Sequence, residues 1–259
     1  MENPLFAFFG TSVDSQFALK ALEAHGLEPA LVVDPREPLP EELFNTEWDF
    51  FLVASYGKML KKEILDLPRH GCINIHPSLL PKFRGPSPYV SAILADERTT
   101  GVTLMLMEEK MDAGPILAQA RIELDEADWP PKGLVLSEML FTEGVNLLVE
   151  VLPDWLSGKL TPTPQDEPQA TYTNKFADAD ALLRLKATQG TTLEFEDPRY
   201  TYLQIQAFDK SPRAHFVTDK GKRVVVTEAA WQDGELVIEK VLPEGKKEMS
   251  YQDYLRGQR

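Results

Sequence analysis

Short apolar runs separated by amphipathic stretches mark the first part of the chain. We predict buried strands at 5–9, 29–33, 49–54 and 72–75. Apolar residues at helical spacing fill the intervals, and we predict helices from Ser12 or Asp14 to Gly26, around 40–46 and around 59–67. Strands that alternate with helices are typical of a parallel sheet, so this part is predicted to have an α/β fold.

The same domain is predicted to continue to residue 157. We predict a helix from one of residues 86–88 to Leu94, paired strands at 102–107 and 115–122, and a long helix at 130–156. Asp112 falls in the connection between the paired strands. The first domain is therefore placed at 1–157.

The pattern changes after residue 157. The segment 158–171 holds Pro162, Pro164 and Pro168 among polar residues, which is typical of a semi-stiff linker. Short β runs follow, at 191–195, 214–218, 223–228 and 236–241, with turns at Asp219-Lys-Gly and Gln232-Asp-Gly. We predict a second domain at 172–259, a small β-barrel of the OB type.

Composition narrows the class of protein. The chain is 43% hydrophobic and 26% charged, which is ordinary for a globular protein with a real core. The single cysteine, Cys72, excludes an intrachain disulfide and a cysteine-based zinc site, and it favours a cytoplasmic location. No apolar run approaches the roughly 20 residues of a membrane span, and the first residues do not resemble a signal peptide.

The charge is uneven along the chain. Residues 1–171 hold 13 Lys and Arg against 27 Asp and Glu, a net charge of −14, whereas residues 172–259 hold 14 of each. Such an acidic balance argues against broad nucleic-acid binding. A cationic cluster in the second part consists of Lys210, Arg213, Lys220, Lys222 and Arg223, with Asp219 between them. This cluster suggests an RNA-facing surface, and the alternative is an ordinary solvated face.

Candidate chemistry lies on the predicted strand at 72–75 and just after it. Asn74 and His76 are two residues apart, so their side chains point to the same face of a strand. Ligands of open parallel sheets bind beyond the carboxyl ends of the strands, where His76 would lie. Histidine exchanges protons near neutral pH, and an asparagine amide can stabilise an oxygen that gains charge. A satisfied polar core pair explains these two residues alone about equally well.

The residues that follow favour a binding site. The segment from Ser78 to Gly85 contains Pro81 and two cations, and it follows no helical or strand period. Irregular loops at sheet ends more often bind ligands than pack.

This stretch resembles the folate-dependent formyltransferase family. The matching blocks are INIHPSLLPKFRG and TGVTLMLMEEKMDAGPIL, with FFGTSVDS and VASYGKML before them. After the linker, ATYTNK, AFDKSPRAHF and VLPEGKKEMSYQDYLRG resemble the members that act on methionyl-tRNA. The resemblance covers nearly the whole chain, and it implies a Rossmann-like formyltransferase domain followed by a tRNA-binding domain.

The resemblance also implies a reaction. The formyl donor would be 10-formyltetrahydrofolate, and the acceptor the α-amino group of methionine on initiator tRNA, with no metal involved. Asn74, His76 and Asp112 correspond to the catalytic residues of the family. Asn74 would bind the charged oxygen, His76 would stabilise it or relay a proton, and Asp112 would hold His76 and a water molecule.

The remaining implied contacts concern the two substrates. The folate side would be formed by Ser78, Leu79, Leu80, Pro81, Tyr56 and Arg84. The tRNA side would include Lys210, Arg213, Lys222 and Arg223. The interval 35–48 is shorter than in other family members and holds Arg36 as its only cation.

Two other functions remain open from the sequence. The chain could formylate an amino sugar nucleotide, or it could bind folate or RNA without turnover. The C-terminal PEGKK block disfavours the first alternative, and the intact Asn74, His76 and Asp112 disfavour the second. We expect a monomer.

Overall fold

The computed structural model of the chain describes residues 3–189 and 192–257. These residues form two compact units. The first runs to Tyr89 and includes Thr99–Leu124 and Val135–Asn174. The second consists of Val90–Arg98, Asp125–Leu134 and the chain from Lys175 onward. Among the described residues, no helix is both long and apolar enough to cross a membrane.

The first unit is built on one mixed sheet. Its strands are β1 (Phe6–Phe9), β2 (Leu31–Val33), β3 (Phe50–Val53), β4 (Cys72–His76), β5 (Thr99–Leu106) and β6 (Ile116–Glu123). They lie in the order β2-β1-β3-β4-β5-β6. Strands β2, β1, β3 and β4 are parallel, as predicted, and the pair formed by β5 and β6 is confirmed.

The sheet is mixed where a parallel sheet was predicted, because β5 runs against the other strands. Strand β5 runs antiparallel to β4, with His76 opposite Thr103 and Ile73 opposite Leu106. The connection 77–98 therefore leaves β4 and enters β5 at the same end of these two strands, so β5 runs antiparallel to β4. Alternation of strands and helices does not reveal this reversal.

The helices are close to those predicted but mostly shorter. They are α1 (Val13–Ala24), α2 (Glu42–Asn45), α3 (Lys62–Leu65), α4 (Pro88–Leu94) and α5 (Gly133–Leu156). Helix α1 begins at Ser12, whose hydroxyl accepts from the Ser15 N–H in a capping box. The short interval before β3 holds only α2, which is fixed by Trp48, whose buried indole N–H donates to the Leu43 carbonyl at 2.9 Å.

Aromatic side chains fill one core of the first unit. Phe9 packs against Phe51 and against Tyr56, with ring centroids 5.1 and 5.3 Å apart. Trp48 meets Phe51 edge-on, at 5.8 Å. Because these rings lie on or next to β1 and β3, they fix β3, the neighbour of β4, and β1 beyond it.

The segment 158–174 belongs to the first unit by its contacts. Thr163 exchanges both backbone hydrogen bonds with Ile116 on β6, each 2.8 Å long. The Thr171 N–H donates to the carbonyl of Pro81 at 3.2 Å. The predicted linker therefore runs along the β4–β5 loop and the edge of β6, and it includes a 3-10 turn at Glu167–Gln169.

The second unit is a small antiparallel β structure with two helices that the sequence did not predict. Its strands are β7 (Leu185–Gln189), β8 (Thr192–Phe195), β9 (His215–Val217), β10 (Arg223–Gln232), β11 (Glu235–Pro243) and β12 (Met249–Ser250). Helices α6 (Pro198–Ala207) and α7 (Tyr251–Arg256) accompany them. Strands β12-β11-β10-β9 form one sheet and β7-β8 another. Residue 191 of the predicted strand 191–195 lies outside the described residues.

The predicted turn at Gln232-Asp-Gly is confirmed as the hairpin between β10 and β11. Asp233 and Gly234 have φ values of 52° and 81°, the left-handed pair that a two-residue hairpin requires. A small antiparallel domain is thus established. Among the described residues its strands lie in two sheets, and the OB-type barrel stays a prediction.

We predict that Gly144→Ala destabilises the protein. A Cβ at this position of α5 would lie 2.4 Å from Cγ2 of Ile75 and 3.0 Å from Cγ2 of Val102. Alanine favours a helix by about 1 kcal/mol, but overpacking a core costs about 1–3 kcal/mol, so the net effect is expected to be a loss of stability. Urea unfolding measures the change in the free energy of unfolding.

The control for this prediction is Glu150→Ala, an exposed position on the same helix, which should change the free energy of unfolding by less than about 0.5 kcal/mol. A more stable Gly144→Ala protein would show that α5 does not press on Ile75, the residue between Asn74 and His76.

Candidate active site

Strand β4 presents Asn74 and His76 on one face. The two residues are paired in register with Met105 and Thr103 of β5. Asn74 is half-buried, and its amide makes no hydrogen bond to any residue in the described part of the chain. A half-buried amide without a protein partner is available to a ligand, and this observation favours a site over a satisfied core pair.

His76 is buried with one ring nitrogen fixed. Its Nε2 lies 3.0 Å from the carbonyl oxygen of Phe83. A carbonyl only accepts, so Nε2 carries the proton and donates it to Phe83. The other nitrogen, Nδ1, lies 3.8 Å from Oδ2 of Asp112, too far for a hydrogen bond but close enough for charge interaction. Nδ1 is therefore the nitrogen that can gain a proton.

The environment of His76 favours its neutral form. Burial lowers the pKa of the imidazole below its usual value, and the nearby Arg84 acts in the same direction. The Asp112 carboxylate and the Phe83 carbonyl oppose this effect by stabilising the charged ring. Since burial makes the largest contribution to the pKa, His76 is a neutral base at neutral pH. Once the His76 ring is protonated, the Asp112 carboxylate becomes its counter-ion.

Asp112 lies on a tight turn between β5 and β6. Its backbone adopts a φ of 49°, in the left-handed region. Its Oδ2 accepts a hydrogen bond of 2.7 Å from the N–H of Gly85, and the same oxygen faces His76. The structure thus brings Asp112 to His76, a proximity that the spacing in the sequence did not show.

The predicted folate loop is anchored by Thr103, a buried residue of β5. The Thr103 hydroxyl donates to the Ser78 carbonyl at 2.7 Å and accepts from the Leu80 N–H at 3.1 Å. Gln119 on β6 donates to the Leu80 carbonyl at 2.8 Å. The Ser78 hydroxyl donates to the Lys82 carbonyl at 2.7 Å. These bonds fix the loop backbone against the antiparallel strands.

The other predicted folate contacts have different environments. Leu80 and Tyr56 are buried, and Leu79 and Pro81 are half-buried. Burial raises the pKa of the Tyr56 hydroxyl, with a smaller contribution from Asp34. The Tyr56 hydroxyl therefore stays neutral, and its place in a folate site stays a prediction.

Arg84 is fully buried and engaged within the protein. Its Nε and Nη2 donate to Oε1 of Gln165 at 3.1 and 2.9 Å. Nη2 also donates to Glu167 at 2.9 Å, and Nη1 to the Tyr172 hydroxyl at 3.2 Å. Its predicted role in binding folate stays a prediction, because these contacts direct the guanidinium toward the segment 165–172.

Sequence analysis missed Thr103, Gln119 and Gln165. Thr103 and Gln119 are opposite each other on β5 and β6, so a correct strand register would have drawn attention to them. Gln165 lies among prolines in the predicted linker, where no period or motif marks it.

The predicted tRNA residues lie in the second unit and are partly engaged. Arg223 donates to Asp178 at 2.8 Å and to the carbonyl of Arg213 at 3.3 Å. Lys222 is exposed beside the turn at 219–221. The cluster therefore offers Lys222 more freely than Arg223.

Metal binding and thiol chemistry find little support among the residues that the structure describes. No group of three or more His, Cys, Asp or Glu side chains is arranged there to hold a metal ion. Burial raises the pKa of the Cys72 thiol to about 12, so it stays protonated.

The fold is shared with solved formyltransferase structures. A methionyl-tRNA formyltransferase from Clostridium thermocellum superposes with a TM-score of 0.68 at 18% identity, over 92% of this chain and 97% of that one. HypX from Aquifex aeolicus in complex with tetrahydrofolic acid gives 0.71 at 20% identity, over 98% of this chain and 47% of that one. A sugar N-formyltransferase from a Shewanella species gives 0.63 at 20% identity, over 87% and 97%. At these identities the likeness shows the fold alone.

Sequence relatives are more specific. The family profile described as formyl transferase matches residues 12–152. The methionyl-tRNA formyltransferase of Roseiflexus castenholzii is 36% identical over 248 residues, which cover 90% of this chain and 75% of that protein. That of Chloroflexus aggregans is 44% identical over 165 residues, 62% of this chain and 51% of that protein. The chain belongs to the methionyl-tRNA formyltransferase family of formyl-transfer enzymes.

Proposed function

We propose that this protein transfers the formyl group of 10-formyltetrahydrofolate to the α-amino group of methionine on initiator tRNA. The observation that carries this proposal is that one face of β4 presents both an Asn74 amide without a partner among the described residues and a buried, neutral His76 whose Nδ1 faces Asp112. The first group suits an oxygen that gains negative charge, and the second suits a proton that must leave an amine. The sequence relatives described above are methionyl-tRNA formyltransferases, which supports the choice of acceptor.

Asn74 is assigned to the formyl oxygen. When the amine adds to the formyl carbon, that oxygen takes up negative charge and needs hydrogen-bond donors. The Asn74 amide has no competing partner among the described residues, so it needs no rearrangement before it donates. Its position on β4 also makes it rigid, since Ile73 and Ile75 on either side are buried.

His76 and Asp112 are assigned to the amine proton. The bond from Nε2 to Phe83 leaves Nδ1 as the basic atom, and the Asp112 carboxylate lies 3.8 Å away to stabilise the imidazolium that would form. An ordered water held by Asp112 is the second route for the proton. Both routes use the Asp112 carboxylate, so removal of its charge affects both.

Folate is assigned to the loop of residues 78–81 and its surroundings. The loop backbone is fixed by Thr103, and Tyr56 adds an apolar wall. HypX from Aquifex aeolicus, whose fold matches this chain, was solved in complex with tetrahydrofolic acid, which supports a folate as the donor. Arg84 belongs to the same proposed site as the residue that fixes the end of the loop. The reaction needs no metal ion.

The tRNA is assigned to the second unit. Lys210, Arg213, Lys222 and Arg223 supply positive charge there, and an RNA backbone is bound mainly through such charges. We retain the OB-type barrel as the proposed class of this domain, with the domains at 1–157 and 172–259 joined by 158–171. We also propose that the protein is a cytoplasmic monomer, consistent with its single, buried Cys72.

The protein should form N-formylmethionyl-tRNA from 10-formyltetrahydrofolate and methionyl-tRNA, and Asn74→Ala should reduce kcat by about 10²–10³-fold. The amide is the lost oxyanion donor, and it has no partner in the described protein whose loss would unfold the chain. Acid–urea gels or mass spectrometry of the aminoacyl-tRNA measure the product.

The matched control is Asn45→Ala, an exposed amide on α2, which should keep wild-type kcat. Product from an amino sugar nucleotide alone would replace the proposed acceptor, and no product with either acceptor would reject the proposed function. A fully active Asn74→Ala enzyme would reject the assignment of this amide.

The pKa of His76 should lie below 6.5, and Asp112→Asn should lower it further. Burial disfavours the charged ring, and the substitution removes the carboxylate that opposes this effect. Because the unfolded chain then binds the proton more tightly than the folded chain, His76 contributes stability above about pH 6.5 that is lost as pH falls toward its folded pKa. NMR titration measures the pKa of His76, with His76→Gln used to assign the signal.

The same protonation should appear in turnover. The acid limb of kcat/KM is expected below pH 6.5, because the neutral ring is the active form. A His76 that titrates above 6.5, or an unchanged pKa in Asp112→Asn, would contradict the arrangement described.

Methionyl-tRNA binding should weaken as salt rises, and Lys222→Glu should weaken it further. An exposed lysine that contacts phosphate releases counterions, so its loss reduces the salt slope by about 1. Filter binding across a range of KCl concentrations measures this. The control is Lys20→Glu on α1, which makes the same change of charge in the first unit; equal effects of both variants would mean that the cluster has no specific role.

A further inference from the structure

Gln165 occupies a central position between Arg84 and the turn that carries Asp112. Its carbonyl oxygen accepts from Nε and Nη2 of Arg84, at 3.1 and 2.9 Å. Its amide nitrogen donates to the carbonyls of Asp112 and Gly114, at 2.9 and 2.7 Å. One side chain of the Pro-rich segment therefore uses both ends of its carboxamide within the candidate active site.

The orientation of this amide follows from chemistry. Arginine has donors and no acceptor, so only the oxygen of Gln165 can face it. The NH₂ group must then face the two carbonyls, which only accept. The buried charge of Arg84 thus dictates which end of Gln165 reaches the Asp112 turn.

The turn that Gln165 contacts is tight. Asp112 adopts a φ of 49°, and a Cβ at Gly114 would lie 1.8 Å from the carbonyl oxygen of Leu106. The amide of Gln165 links the carbonyls on both sides of Ala113 and so fixes the backbone from which the Asp112 carboxylate projects. That carboxylate then accepts from Gly85 at 2.7 Å and lies 3.8 Å from His76.

Two ion pairs that share Glu167 support the same segment. Glu167 accepts from Arg84 at 2.9 Å and also pairs with Lys110, two residues before Asp112. Hydrogen bonds from Arg84 and Lys110 lower the pKa of the Glu167 carboxyl to about 2. Its charge therefore stays constant through any practical assay range, and changes in a pH profile cannot originate from this group.

We propose that Gln165 is a positioning residue of the active site: oriented by Arg84, it holds the Asp112 turn so that the carboxylate faces Nδ1 of His76. The kinetic part of this proposal rests on the proposed formyl transfer. The geometric part concerns the distance between Asp112 and His76 and does not depend on the reaction.

Two substitutions separate the roles of the two ends of the amide. Gln165→Glu keeps the shape and the acceptor for Arg84 but removes the donor for Asp112 and Gly114. Gln165→Met keeps the length and removes both functions. The control is Gln169→Glu, the same chemical change four residues later, where the side chain is exposed and donates to Asp166.

Both Gln165 variants should lower kcat by about 10²-fold, because misplacement of a catalytic group by about 1 Å has that effect, while KM for the folate stays near wild type. The NMR pKa of His76 should fall in Gln165→Met, since the carboxylate that raises it is no longer held in place. In Gln165→Glu the added negative charge opposes that fall, so this variant is judged by kcat. Gln169→Glu should match wild type in kcat and in the pKa of His76.

The outcomes distinguish the two proposals. Wild-type protein without formyl transfer rejects the proposed function, and the His76 titration then still decides the position of Asp112. An unchanged pKa of His76 in Gln165→Met overturns the positioning role, whatever happens to kcat. Loss of folding in both variants, measured by thermal denaturation, overturns it in favour of a purely structural role.

Discussion

The buried guanidinium of Arg84 is the constraint on which the arrangement of the active site depends. A buried charge is stable only when its hydrogen bonds are satisfied, and losing one partner costs several kcal/mol. The partners of Arg84 are Gln165, Glu167 and Tyr172, more than 80 residues later in the chain. Satisfying this one side chain therefore holds the segment 165–172 against the loop after β4, and it brings the amide of Gln165 to the Asp112 turn.

The chemistry of His76 depends on the same loop around Arg84. The Phe83 carbonyl that fixes the His76 tautomer belongs to the residue before Arg84, and the Gly85 N–H that binds Asp112 belongs to the residue after it. Three consecutive residues thus determine which nitrogen is basic, where the counter-ion lies and how the loop is held. Burial then keeps the imidazole neutral, so that a proton can be accepted at neutral pH.

The sequence was informative where local pattern decides structure. The parallel strands, α1 and the hairpin at Asp233 follow from periodicity, from the Ser12 cap and from turn chemistry, all of which act over a few residues. The reversal at β5 and the partners of Arg84 depend on contacts between distant residues, which no periodicity records. The family resemblance supplied Asn74, His76 and Asp112, but not the tautomer of His76 or the clamp by Gln165. Helix α6 was missed because several of its buried residues are polar, namely Thr201, Gln204 and Gln206.

The two parts of the chain differ in the cations that they can offer to a tRNA. The one cation of the short interval 35–48, Arg36, donates to Asp34 through Nε at 2.9 Å, and this contact lowers the pKa of that carboxyl. Arg84 is likewise neutralised, by Glu167. These two cations are therefore engaged with carboxylates and offer little attraction for phosphate. The tRNA binding that we propose therefore needs cations other than these two, and among those predicted Lys222 is exposed.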